Sequence, residues 1–154
     1  MLLLRLHAVN LAPQLQCPAA LGALKEASTD SSSDIRIAAV RAFESLPPDQ
    51  AVPQLQEIIG SDTNVDVRLS ATKALGKFSG RQAVQAISLA LNDSDPALQL
   101  RAMESLSSAS GENLGLSVGA WKEYVARVAP PSISPASGGS QTRVAENGSE
   151  SIRR

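Results

Sequence analysis

Apolar residues recur along this chain with the spacing of helices. In AVPQLQEII (51–59) they fall at Val52, Leu55 and Ile58/Ile59, and in AVQAISLAL (83–91) at Val84, Ile87 and Leu91. Intervals of three, then six or seven, put these side chains on one face of a helix. A second kind of segment alternates with the first: DIRIAAVRAF (34–43), DVRLSATKAL (66–75) and ALQLRAMESL (97–106). The pattern predicts helix A, turn, helix B, short turn, repeated. The polar punctuation agrees. Asp95-Pro96 is an N-cap followed by proline at the first helical position, and Ser32 and Asn64 hold the equivalent cap positions. Asp34 and Asp66 fall in first helical turns, where the helix dipole favours a carboxylate. Gly76, Gly80 and Pro47-Pro48 mark where the B helices end.

The segments are copies. Asp34 and Asp66 are 32 residues apart, ALQLRAMESL follows at 31, and RLHAV (5–9) precedes RIAAV (36–40) by 31. CPAALGALKEA (17–27) is the same type of element as AVPQLQEII, one unit earlier. A period near 32 residues with two helices per unit is the signature of a helical solenoid. The residues Ala51-Val52-Pro53, Leu55, Asp62, Asp66-Val67-Arg68, Ala71 and Ala74-Leu75-Gly76 resemble HEAT repeats, especially the short type of phycobilisome lyase subunits. The resemblance spans residues 1 to about 109 and implies fold rather than function. The expected fold is an all-α, right-handed α-solenoid of about three and a half HEAT-like helix pairs. Its repeat domain covers 1–128: a partial repeat (1–16), repeats at about 17–46, 49–78 and 80–109, and a capping helix at about 115–128. Residues 129–154 form a tail.

The repeated Asp-x-Arg reads as a structural ladder. Asp34/Arg36 and Asp66/Arg68 are expected to pair between neighbouring repeats and to tie the inter-helix turns together. Ala97 and Gln99 replace the pair in the third unit, where the ladder stops.

Both ends break the pattern. GENLGLSVGAWKEYVARV (111–128) is out of register and holds the only Trp and the only Tyr. Val118, Trp121 and Val125 share a helical face, which predicts a cap over the last apolar surface. Trp121 is also a candidate partner anchor, since Trp and Tyr are favoured at interface hot spots. This stretch resembles the end of bacterial, particularly planctomycete-type, HEAT-repeat proteins. Beyond Pro130, Pro, Ser and Gly dominate and large apolar residues nearly vanish, so the tail is expected to be disordered. At the other end the chain starts inside a B helix. Leu2, Leu3, Leu4 and Leu6 then form an open edge, to be covered by a partner, by self-association or by more of a longer chain of which this is a fragment.

Composition narrows the chemistry. Aromatics are 3% against 43% apolar residues, so the core is built from Ala, Leu, Ile and Val. Fourteen Lys+Arg balance 15 Asp+Glu, which leaves no electrostatic footprint for nucleic acid or an anionic membrane. No apolar run approaches the roughly 20 residues of a membrane span. The leucines at the start, broken by Arg5 and His7, make a poor secretory signal, and one cysteine, Cys17, forms no internal disulfide. A cytoplasmic protein is expected. His7, the only histidine, sits at a variable repeat position, and a Cys17–His7 pair is all the chain offers for nucleophilic catalysis. No phosphate loop, G-x-S-x-G or His-Glu dipeptide occurs, so neither enzyme activity, metal nor cofactor is expected.

A repeat array offers a surface instead. One column of equivalent B-helix positions reads Asn10, Arg41, Lys73, Glu104, and the position four residues on adds Ser45 and Lys77. Arg41, Lys73 and Lys77, with Trp121, are the candidate partner-binding residues, suited to an acidic protein segment. The expected function is a non-catalytic protein–protein interaction scaffold. Its rival is an accessory subunit of an enzyme, as the lyase resemblance implies, which visible absorbance from a bound bilin would reveal.

Overall fold

The computed structural model describes residues 2–15 and 18–130. Among these residues it is all α-helical: α1 (Leu2–Leu11), a 3-10 turn (Ala12–Leu15), α2 (Pro18–Ala27), α3 (Ser33–Phe43), α4 (Pro48–Ser61), α5 (Val65–Leu75), α6 (Arg81–Leu91), α7 (Pro96–Ser110) and α8 (Val118–Val128). The helices form two layers. The B-type helices α1, α3, α5 and α7 stack side by side, each on the next. In the A-type layer α4 packs on α6 and α6 on α8, while α4 and α6 also pair with α5 and α7 of their own repeats. This is an all-α helical repeat solenoid.

The apolar faces predicted from the spacing are the faces that are buried. Leu55, Ile87 and Leu91 are 0% exposed, and Val67, Leu75, Leu98 and Leu106 line the opposite layer at 0%. Alanines separate them: Ala39, Ala71 and Ala102, one per B helix, are also 0% exposed. Small residues at these positions let helices approach closely, which is how a core with few aromatics reaches native packing density. Gly76 marks one such close approach. A Cβ placed there would stand 3.1 Å from both Cα and Cβ of Ser105 on α7. Gly76→Val should therefore lower stability by about 1–3 kcal/mol through overpacking, and Gly76→Ala by less. Thermal unfolding of the two variants beside the parent checks this.

The caps follow the sequence with one exception. Asn64 accepts from the N–H groups of Asp66 and Val67, and Asp95 from that of Ala97. Ser32 occupies the cap position of α3 but its side chain makes no cap hydrogen bond. Gly111 ends α7 at φ 75°, a left-handed conformation that favours glycine.

α8 lies against α6 and α7. It sits one step along the A-type layer and covers the last repeat. The side chains of Leu2, Leu3 and Leu4 lie outside the described residues, as do Cys17 and the tail 131–154. Leu6 is described and is half-buried against the core.

Candidate functional site

The turns between A and B helices hold one motif three times. Asp30, Asp62 and Asp93 each accept, through Oδ1, the backbone N–H two residues on: Ser32 at 2.8 Å, Asn64 at 2.9 Å and Asp95 at 2.9 Å. This turn closes the loop on itself and aims the other carboxylate oxygen at the neighbouring repeat. Arginines of the preceding B helices reach it. Arg5 Nη1 lies 2.6 Å from Asp30 Oδ2. Arg36 donates from Nε to Asp62 Oδ2 at 2.7 Å and from Nη2 to Oδ1 at 3.0 Å. Arg68 Nε stands 3.8 Å from Asp93 Oδ2, a looser rung without a hydrogen bond. Each inner arginine also grips its own turn: Arg36 Nη1 donates to Asp30 O at 2.8 Å and Arg68 Nη1 to Asp62 O at 2.9 Å. Gln99 keeps that local contact, donating to Asp93 O at 2.8 Å, but its neutral amide provides no charged rung.

The expected pairing is thereby corrected. Arg36 and Arg68 reach from one repeat to the next, but their acceptors are Asp62 and Asp93. Asp34 and Asp66 make no ion pair among the described residues; they are exposed in the first turns of α3 and α5. Residues two apart on a helix point to different sides, so Asp34 and Arg36 cannot serve one contact.

The Arg36–Asp62 rung is the most enclosed, with side chains 14% and 6% exposed. Burial by itself pushes the Asp62 carboxyl up. The hydrogen bonds from Arg36 and the Asn64 N–H, with the charges of Arg36 and Arg68, outweigh it and hold Asp62 below its ordinary value. For Arg36 the hydrogen bond to Asp62 is the largest influence and raises the guanidinium against the opposing effect of burial.

The basic column lies on the B layer. Arg41 and Lys73 are exposed in the last turns of α3 and α5, and neither makes an ion pair among the described residues. Lys77 is exposed but pairs with Glu44 across the repeat boundary. Beside them is a shallow groove of about 330 Å³ lined by Lys73, Gly76, Lys77, Arg101, Glu104, Ser105 and Ser108. Arg101 Nη1 is 2.8 Å from Glu104 Oε2. The structure thus brings Arg41, Lys73 and Lys77 onto one layer and adds Glu44 and Arg101, which the column reading missed. Arg101 aligns with His7, Ala38 and Ser70, so only the row i−3 from Glu104 on the same helix face could have pointed to it.

Trp121 does not belong to that surface. It is 1% exposed, donates its indole N–H to Gly115 O at 2.9 Å, and meets Tyr124 edge-on at 5.7 Å. Arg127 lies over the Tyr124 ring at 5.6 Å. Its role as a partner anchor is corrected to that of the central side chain of the cap. A buried ring with a satisfied N–H has nothing left to offer a partner.

Chemistry is sparse. Among the described residues no three His, Cys, Asp or Glu side chains gather as metal ligands, and no helix is long and apolar enough to cross a membrane. His7 is exposed on α1; its suggested partner Cys17 lies outside the described residues.

A family model described as HEAT repeats matches residues 3–75 and 52–116, two overlapping spans that together cover well over half the chain. A search of curated proteins returned no match.

Proposed function

Because this chain belongs to the HEAT-repeat family, we propose that it is a non-catalytic protein–protein interaction scaffold, cytoplasmic, and that its B layer takes an acidic segment of a protein partner. HEAT repeats generally mediate protein–protein interaction. The observation that carries the finer reading is the pair Arg41 and Lys73. They are exposed, stand at equivalent positions of adjacent helices, and make no ion pair among the described residues. Neighbouring helices in such a stack lie about 8–10 Å apart. An extended chain advances about 6–7 Å every two residues, so spaced carboxylates can meet both cations. Lys77 and Arg101 flank them. Each has an internal carboxylate partner, so both help hold the groove's shape as well as its charge.

A fluorescent glutamate-rich peptide should bind the full chain weakly, with a Kd of about 10–100 μM at low salt, and more weakly as salt screens the exposed charges. Arg41→Glu/Lys73→Glu should weaken it at least ~10-fold. Both residues also lie in last helical turns, where a cation is worth about 0.3–1 kcal/mol, so the melting temperature is read alongside. Equal binding by parent and variant would remove the site from this face.

A further inference from the structure

The basic pair is one row of a face that carries three. Two helical turns before Arg41 and Lys73 stand Asp34 and Asp66. Residues at that interval share a face of the helix and lie about 10.5 Å apart along its axis. Between them on the same face are Ile37 and Leu69, each one turn from its aspartate and one turn from its cation. The four charged residues are exposed, and none makes an ion pair among the described residues. Ile37 and Leu69 are half-buried: each packs partly on the core and opens partly to solvent. The aliphatic row continues at Leu6 of α1 and at Leu100 of α7, which is 43% exposed. The charged rows are confined to α3 and α5, since α7 has Ala97 and Glu104 at the equivalent positions and α1 has Asn10.

α3 and α5 lie inside the array, each with a B helix on both sides and A helices on its inner side. The openness of their outward face therefore does not depend on either end of the chain. An aliphatic row rimmed by negative charge on one side and positive charge on the other is a pattern suited to docking. Its dimensions select the occupant. An extended strand running past Arg41 and Lys73 would leave the aliphatic and acidic rows uncovered. An α-helix is about 10–12 Å across with its side chains, which matches the separation of the two charged rows. Laid across the B helices, it covers all three rows. Its own residues seven apart, at about 10.5 Å, keep step with neighbouring B helices about 8–10 Å apart.

We infer, on the premise that Arg41 and Lys73 bind an acidic segment, that this segment is an amphipathic helix of a partner protein lying across α3 and α5. Its aliphatic stripe rests on Ile37, Leu69 and Leu100. Its acidic flank meets Arg41 and Lys73, and its opposite, basic flank meets Asp34 and Asp66. The opposed rows also fix the direction in which the helix runs, because turning it end for end sets like charges together.

The probe is a synthetic helix of about 18 residues, ~27 Å long. It carries leucines along one face, glutamates on one flank, lysines on the other and a hydrocarbon staple on its outward side. It should bind the full chain at least ~10-fold more tightly than an unstapled glutamate-rich peptide. Asp34→Asn/Asp66→Asn should weaken the helix about fivefold or more at low salt and leave the glutamate-rich peptide bound as well or better, with the melting temperature read alongside. Glutamines in place of the peptide's leucines should weaken it at least ~10-fold. A photo-crosslinker at a central leucine should mark residues 34–41 and 66–73. A helix that binds no more tightly than the glutamate-rich peptide, that is indifferent to the aspartate change or to loss of its leucines, or that crosslinks elsewhere overturns the inference, while Arg41 and Lys73 keep their acidic segment. Equal binding of the glutamate-rich peptide to the parent and to Arg41→Glu/Lys73→Glu removes the premise and the inference with it. A chain that is dimeric in solution and that the helix turns monomeric also overturns it, because a second copy is then the occupant.

Discussion

Asp62→Ala should cost this chain about 2–4 kcal/mol, more than any other single turn substitution. The native carboxylate takes two hydrogen bonds from Arg36 and one from the N–H of Asn64. Its removal leaves a guanidinium, 14% exposed, without its counter-charge, and frees a turn that also receives Arg68 at its backbone carbonyl. Losing one partner of an enclosed pair costs more than the pair contributes, because the desolvation of the survivor is no longer offset. Small domains have about 5–15 kcal/mol in total, so the loss is a large share. Urea unfolding of the parent, Asp62→Ala, Arg36→Ala and the double variant gives the coupling. The double variant should be less destabilised than the sum of the singles by about 1–3 kcal/mol. Asp93→Ala should show a smaller coupling to Arg68, whose Nε is 3.8 Å from the carboxylate.

The same rung sets a pH dependence. Asp62 is held below its ordinary value in the folded chain. Its contribution is therefore complete above the unfolded value of about 3.9 and is lost as pH falls through the lower, folded value. Stability of the parent should fall below about pH 4 more steeply than that of Asp62→Ala, and the two curves should converge at the acid end. Parallel curves would show that the carboxylate is not ionised in the pair.

Trp121→Ala should cost about 3–5 kcal/mol, or detach α8 before the rest unfolds. The ring is the largest fully buried side chain of the described residues. Its loss leaves a cavity beneath α8 and an orphaned carbonyl at Gly115. Partial detachment would appear as amide exchange that speeds up across 118–128 while α4 and α5 stay protected. Binding of the acidic peptide to the B layer should be unchanged. A variant of parent-like stability that had lost its partner would return Trp121 to the role of an anchor.

The sequence carried the fold because the signal was redundant. Val52, Leu55 and Ile58 repeat as Val84, Ile87 and Ala90, and a periodicity present in each unit needs no tertiary information to be seen. The acceptors of the ladder were harder. Arg36 finds its carboxylate 26 positions away in a turn, whereas the recurrence of Asp-x-Arg points to pairing between the Asp-x-Arg motifs of neighbouring repeats. The turn motif was nonetheless in the chain: Asp30, Asp62 and Asp93 recur at 32 and 31 residues, each two positions before a cap residue. Trp121 was ambiguous for a different reason. A terminal helix has only one packed side, and spacing alone does not say whether an aromatic on it faces the array or a partner.

The most direct test of the scaffold account is affinity capture from native extract, with the parent full chain beside Arg41→Glu/Lys73→Glu and mass spectrometry of what each retains. The account predicts a partner with an acidic segment that is held by the parent, released by added salt and lost from the variant, while the two melting temperatures stay within a few degrees. A partner held equally by both would contradict it and move the interaction off the B layer.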